Sequence, residues 1–238
     1  MDWLSPRLMA IARRVPPGCC VVDIGTDHAM LAVYLEKTRS TRKVVATDKS
    51  EDSLHKARAN AVRYGVAFDV RQGDGLEPVS YDELDVAVIA GVGSQTIAEI
   101  LSSSRRKVRA LSRIVVQPMK DEQQLRRWVH ESALRIVHED LVIDAGRVYD
   151  IMTFEGCAQF EPAEWNTQHV SAEYEVSEQL LRNDAGLLLR YFERRRKIRL
   201  GLSGDLREVS QEISDEHLRA VHLLDEIIEE IREKRCSD

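Results

Sequence analysis

Asp23-Ile24-Gly25-Thr26-Asp27-His28 closes the apolar run Cys19 to Val22 with three acid or imidazole side chains and a glycine. Such a run reads as a strand ending in a tight turn, and doubly wound sheets bind ligands beyond the carboxyl ends of their strands. Gly25 lets backbone approach a ligand closely. The glycine series that cradles a pyrophosphate is broken, because Asp27 and Ala29 stand where later glycines would. An anionic Asp27 repels phosphate and suits a cofactor that has a cationic amino group and no phosphate. The methionine end of S-adenosylmethionine (SAM) has that chemistry. A structural strand–helix turn with solvated acids would read the same way.

Three further turns carry related chemistry. Asp48, followed by Lys49, ends the run KVVATD, where a carboxylate can accept both hydroxyls of a ribose or cap the next helix. Gly73-Asp74-Gly75-Leu76 places a carboxylate where it could take the exocyclic amine of an adenine, with Leu76 packing on the ring; a plain glycine turn is the alternative. Ile89-Ala90-Gly91-Val92-Gly93-Ser94 is built of small residues that leave room for a base and expose backbone groups, or permit a tight turn into a helix. His28 is the one nearby group that ordinarily titrates near neutrality, and it either takes part in chemistry or orients its loop.

Regular alternation positions these turns. The spacing predicts helices over 5–14 (Ser5 capping, Pro6 at the first position), 28–37, 50–65 (Ser50 capping, Gly65 ending), 94–104 and 121–133. Strands are predicted over 19–24, 43–48, 67–72, 85–91, 113–118, 135–144 and 148–156, the last two turning at Ala145-Gly146. Strands separated by helices require right-handed crossovers and a mostly parallel sheet. A closing antiparallel pair is the mark of class I methyltransferases and not of a plain dinucleotide fold. The expectation is a Rossmann-like α/β domain over 1–158 with a seven-stranded, mostly parallel sheet. Residues 160–168 read as a linker opening a second segment, 159–238, which forms an antiparallel, coiled-coil-like helical hairpin. Its thin seams hold Leu180, Leu181, Leu187, Leu188, Tyr191 and Ile198, then Leu218, Val221, Leu224, Ile228 and Ile231, with a turn at Gly201 and Gly204. Such a seam can pair internally or with another chain, so a monomer or weak dimer is expected.

The net charge of −6 falls wholly in the tail, the first 160 residues being balanced, so nucleic acid could be bound only by local basic patches. Cys19, Cys20, Cys157 and Cys236 have no metal-ligand spacing, and no metal is expected. Neither a signal peptide nor a membrane-length apolar run is legible, which predicts a soluble, cytoplasmic protein.

Taken in order, Leu4-Ser5-x-Arg7-Leu8, Asp23-Ile24-Gly25-Thr26-Asp27-His28-Ala29, Gly73-Asp74-Gly75-Leu76, Ile89-Ala90-Gly91-Val92-Gly93, Gln117-Pro118, Gln124-Leu125-Arg126-x-Trp128 and Tyr149-Asp150-Ile151 resemble the TrmK-type bacterial tRNA (adenine(22)-N1)-methyltransferases. The resemblance spans residues 4–156 and, more loosely, the tail. It implies SAM as cofactor, held by Asp23, Gly25, Thr26, Asp27, His28, Asp48, Lys49, Asp74, Gly75, Leu76, Ala90 and Gly91. It implies tRNA as partner, with the target adenine held by Gly91, Val92, Gly93, Gln117, Pro118 and Met119. Val92, Ser94 and Met119 depart from the family's usual A-G-M-G-G and Q-P-N. Adenine N1 carries a lone pair at neutral pH, so positioning without a dedicated general base would suffice. Candidate RNA contacts are Arg7, Arg13, Arg14, Arg126, Arg127, Arg194, Arg195, Arg196 and Lys197, with Arg199 and the cluster Arg105, Arg106, Lys107, Arg109 beside them. A methyltransferase of small molecules, or a non-catalytic SAM- or RNA-binding relative, also fits these residues.

Overall fold

The computed structural model of the chain describes residues 3–26, 28–156, 158–166, 172–206 and 210–237. Two compact units divide it, Met1–Ala163 and Glu164–Asp238. In the first, strands β1 (Cys20–Ile24), β2 (Lys43–Asp48), β3 (Asp69–Gln72), β4 (Val86–Val92), β5 (Arg113–Pro118), β6 (Arg135–Asp144) and β7 (Arg147–Glu155) form one sheet. Its order is β3-β2-β1-β4-β5-β7-β6. β1 pairs in parallel with both β2 and β4, whereas β7 lies antiparallel between β5 and β6. This is the class I methyltransferase arrangement anticipated above, in which strand order reverses at β1 and β4.

The helices follow local chemistry. α1 (Pro6–Arg13) begins where Ser5 Oγ accepts the Leu8 amide, with Pro6 at the first position. α2 (Met30–Thr38) and α3 (Glu51–Tyr64) cross back from β1 and β2. Ser50 caps α3 and Gly65 ends it in the left-handed conformation. α4 (Ser94–Ser103), the short α5 (Arg105–Val108) and α6 (Glu122–Glu131) complete the unit. Sequence reading missed α5 and a 3-10 turn at Tyr81–Glu83, both too short to show periodicity. The β6–β7 hairpin turns at Ala145 and Gly146, both at positive φ, which matches the twist of the strands. Val21, Val22, Val44, Val45, Val86 and Val88 are solvent-free, as strands covered on both faces require. Phe160 is buried edge-on against Trp128, whose indole donates to the Ala163 carbonyl. These contacts tie the first residues of the presumed linker to the sheet unit, so the division falls after Ala163 and not at 158.

Burial corrects two proposed RNA contacts. Arg126 is 3% exposed; its Nε donates to Glu139 and its Nη2 to Asp150, each at 2.7 Å. Arg127, 4% exposed, lies beside it on α6. Both face the protein because α6 packs that side against β6. Burial first, and then the Glu139 carboxylate, raise the Asp150 carboxyl well above its usual range.

The second unit holds α7 (Ala185–Leu206) and α8 (Gln211–Ser237), which pack against each other. α7 runs through Gly201 and Gly204, so the predicted turn there is corrected: helical hydrogen bonding persists to Leu206. Leu180 and Leu181 belong to a separate 3-10 turn. Ile198 and Leu218 face solvent, while Leu188, Tyr191 and Phe192 meet Val221, Leu224, Ile228 and Ile231 in the buried seam. Arg195 and Arg199 also lie in it, clasping the fully buried Glu175. Arg195 is therefore corrected as an RNA contact, its charge being spent inside the hairpin. Among the described residues no helix is long and apolar enough to cross a membrane.

Replacing Arg126 with methionine would leave Glu139 and Asp150 buried without their cation. We expect a loss of about 3–5 kcal/mol in urea unfolding at pH 7.5. The loss should shrink at pH 5.5, where the orphaned carboxyls take up protons, and an unchanged midpoint would refute the role given to this cluster.

Candidate functional site: a cleft at the carboxyl ends of β1, β2 and β4

The turn after β1 is held from behind by β2. The Gly25 amide donates to the Thr47 carbonyl at 2.8 Å, and the Thr26 amide reaches the same oxygen at 3.4 Å. Gly25 adopts φ +71°, which a glycine accommodates without strain. Thr26 Oγ1 then donates to Asp23 Oδ2 at 2.7 Å. Asp23 is 6% exposed, and burial raises its carboxyl to about 6, opposed by the Thr26 bond. His28 is exposed on the same turn, and its carbonyl accepts from Asn60 on α3. Asp27 lies outside the described residues.

The next two turns are linked the same way. Asp48 Oδ1 accepts the Ser50 amide, so Asp48 both supports the start of α3 and lines the cleft. Its carbonyl accepts the Gly73 amide. The buried hydroxyl of Thr47 donates to the Gly75 carbonyl at 2.9 Å, and Lys107 Nζ donates to the Leu76 and Glu77 carbonyls. A Cβ on Gly75 would stand 2.9 Å from Ile100 Cγ2, so a glycine is required there. Lys49 Nζ lies 3.0 Å from Asp74 Oδ2, both side chains being solvent-accessible. Leu76 is fully buried, which corrects its expected place against an adenine ring. Ile24, Val92 and Ile100 supply the apolar lining instead.

Two lobes meet at Gly25 and Val92. One, of about 480 Å³, is lined by Asp48, Lys49, Gly73, Asp74 and Gly75, and by Thr96, Glu99, Ile100 and Ser103 from α4. Those α4 residues were missed, although their spacing of three and four marks one helix face. The other, of about 440 Å³, is lined by Arg7, Asp23, Thr26, His28, Ala90, Gly91 and Val92. Gly91, at φ +79°, is the extra residue where the β4–β5 register shifts, and this bulge brings exposed backbone to the lobe. Beyond it, the Met119 amide donates to the Val92 carbonyl, and Ser94 Oγ donates to the Lys120 carbonyl. The three departures from the family pattern thus occupy one joined lip. Gln117 and Pro118 are buried, whereas Met119 is 40% exposed. Gln117 makes its bonds within the protein, to Arg7, the Pro118 carbonyl and Met119 Sδ, which corrects its expected contact with a base.

The donor set fits a nucleoside with an amino-acid end. Asp48 and Asp74 can accept from hydroxyl or amino groups in one lobe, and Asp23 can face an ammonium in the other. Among the described residues lining this cleft no glycine-rich phosphate loop is present. Among the described residues no group of His, Cys, Asp or Glu could hold a metal ion.

Comparison with known proteins agrees with this geometry. Residues 4–152 match the model of the methyltransferase domain, and the chain belongs to that family. The tRNA (adenine(22)-N(1))-methyltransferase of Bacillus subtilis is 30% identical over 154 residues, 64% of this chain and 65% of that enzyme. The chain therefore matches just under two-thirds of that relative's length. The crystal structure of the B. subtilis m1A22 tRNA methyltransferase TrmK superposes with a TM-score of 0.73 at 23% identity, covering 94% of this chain and 98% of that one. M. capricolum TrmK in complex with S-adenosylhomocysteine gives 0.67 at 22% identity, covering 97% of each chain. At such identities these two matches establish the fold.

Of the basic residues proposed from sequence, Arg13, Arg105, Arg106, Arg194 and Lys197 are exposed. Arg14 pairs with Asp140 and Arg196 with Asp225 at the surface. Arg105 and Arg109 pair with Glu161.

The burial of Asp23 has an energetic consequence for the fold. A carboxyl raised to about 6 in the fold, against an ordinary 3.8, costs stability once pH exceeds the unfolded value. That cost is complete above pH 6 and disappears as pH falls towards 4. Asp23→Asn should therefore raise the unfolding free energy by up to about 3 kcal/mol at pH 7.5, with the gain vanishing at pH 4 in denaturant titrations. A variant less stable than wild type at both pH values would contradict this account.

Proposed function

We propose that this chain is a SAM-dependent tRNA methyltransferase acting on N1 of adenine, with adenosine 22 as the target position. The observation that carries the reading is the two-lobed cleft: a lobe lined by Asp48 and Asp74, suited to a nucleoside, meets at Gly25 and Val92 a lobe lined by Asp23, suited to an ammonium. The adenosine 22 assignment rests on the relative from B. subtilis.

SAM, when bound, would supply a methyl carbon on a sulfonium that an in-line lone pair can take, the C–S electron pair leaving on the sulfur of S-adenosylhomocysteine. The chain's own part is placement. Asp23 neutralises the ammonium, Asp48 and Asp74 hold the nucleoside hydroxyls and amine, and the small residues Gly91 and Gly93 leave room for a base beside the lip formed by Val92 and Met119. Adenine N1 needs no deprotonation before attack, so no side chain has to act as general base. A target base must leave its stack to reach the lip. Arg13, Arg106, Arg194 and Lys197 are exposed cations from which phosphate contacts would be drawn. Binding through them should weaken steeply as salt rises.

Two measurements test the reading. Labelled methyl from SAM should appear on unmodified bacterial tRNA, with a new reverse-transcription stop at adenosine 22 that Asp23→Ala abolishes. Absence of label on any tRNA, despite SAM binding, would move the weight to a small-molecule methyltransferase or a non-catalytic binder. SAM affinity, measured by calorimetry, should also fall as pH drops through about 6, because protonated Asp23 no longer faces the ammonium. A flat profile between pH 5 and 8 would remove Asp23 from that role.

A further inference from the structure

The lip beside the cleft carries a cation, Lys120, that does not belong to any of the basic clusters legible in the sequence. It lies between β5 and α6, directly after Met119. Its backbone is fixed from the loop after β4. The Lys120 carbonyl accepts the Ser94 hydroxyl at 2.7 Å, and the preceding amide, that of Met119, donates to the Val92 carbonyl at 2.9 Å. Its aliphatic stem lies across Gly93, with Cε 3.4 Å and Cγ 3.9 Å from where a Cβ on that glycine would stand. Nζ is one bond further on, which sets the ammonium at the lip next to Val92, a residue that lines both lobes. The side chain is nonetheless 74% exposed, and Asp121 stands 3.9 Å from Nζ, beyond hydrogen-bond range. Asp121, at φ +60°, makes the bend into α6 and gives that helix no side-chain cap, so Lys120 stays outside the helix.

An exposed ammonium on a fixed root is suited to an anion that arrives from solvent. The reacting atoms of the proposed methyl transfer offer none. The sulfonium of SAM is positive, and adenine becomes positive as N1 takes the methyl, so an ammonium touching either would oppose transfer. The anions that accompany a target adenosine are the phosphates on its two sides, which stay at the rim when the base swings out of its stack into a pocket. Met119, next along the chain, is half-exposed and carries a thioether of the kind that packs against aromatic rings. We propose that Lys120 binds a backbone phosphate flanking the target adenosine and so holds the everted nucleotide at the lip. This rests on tRNA being the substrate. Contacts through Arg13, Arg106, Arg194 and Lys197 would dock the tRNA as a whole, whereas Lys120 acts on one nucleotide.

The test uses the full chain, SAM and two synthetic tRNAs, one with a natural backbone and one with uncharged methylphosphonates on both sides of adenosine 22. Lys120→Met should lower kcat/KM on the natural backbone about five- to tenfold, as loss of a charge-assisted bond at an exposed site would. It should also reduce the salt slope of tRNA binding by about one. Wild type should lose a similar factor on the uncharged backbone, and Lys120→Met should lose little more there. Lys120→Arg should keep most of the activity. Affinity for S-adenosylhomocysteine should stay within about twofold of wild type in both variants, which shows an intact cleft. Wild-type activity in Lys120→Met overturns the proposal. So do losses from the substitution and from the uncharged backbone that multiply, which would put the ammonium on another anion. A matching loss of S-adenosylhomocysteine affinity overturns it too, by making Lys120 a support of the cleft. If wild type binds SAM yet transfers no methyl to the natural-backbone tRNA, the tRNA reading itself falls and this proposal with it.

Discussion

Backbone hydrogen bonds between the loops at the carboxyl ends of adjacent strands underlie every feature of the cleft. The Gly25 amide reaches the carbonyl of Thr47, and the Gly73 amide reaches that of Asp48. The parallel register sets Ile24 beside both Thr47 and Ile89, so three turns converge on one line. Because each turn is hydrogen-bonded to its neighbour, Asp23, Asp48 and Asp74 cannot drift independently. A site that works by placement alone requires this stiffness, since misplacement of reacting groups by an ångström is costly.

Buried charge is used differently in different parts of the chain. In the sheet unit one guanidinium, Arg126, lies between two solvent-free carboxylates, Glu139 and Asp150. In the helical unit one solvent-free carboxylate, Glu175, lies between Arg195 and Arg199, with His217 hydrogen-bonded beyond. Desolvation and the neighbouring cations depress the His217 imidazolium. Each cluster pairs oppositely charged groups inside the fold, and in the first the burial of Asp150 beside Glu139 favours its neutral form. Asp23 differs: the only opposing contact to its burial among the described residues is the Thr26 hydroxyl, with no cation beside it.

The departures at Val92, Ser94 and Met119 are structurally coherent. The Ser94 hydroxyl and the Met119 amide each bridge the loops after β4 and β5, and the Met119 thioether lies 3.7 Å from the Gln117 amide nitrogen. The lip keeps its backbone connections while leaving the Met119 side chain half-exposed. Since the proposed chemistry asks for shape and an accessible lone pair, such a lip is compatible with it.

Periodicity and punctuation already determine much of this protein. Alternating apolar runs and helix caps such as Ser5, Ser50 and Gly65 mark the elements of the sheet unit, and the closing pair around Ala145-Gly146 marks its class. Acids and glycines at strand ends mark the cleft, because those residue types have few other reasons to end a buried strand. What lies opposite each side chain is decided only by the tertiary structure. Arg126, Arg127 and Arg195 read as surface cations until α6 and α7 turn them inward, Arg126 and Arg195 onto carboxylates from distant segments. Leu76 and Gln117 read as ligand contacts until packing buries one and occupies the other. Gly201 and Gly204 read as a turn, yet the helical seam carries the chain past them. Local sequence encodes backbone preference and hydrophobic period, whereas a charge's partner comes from residues far along the chain, and only the folded arrangement brings the two together.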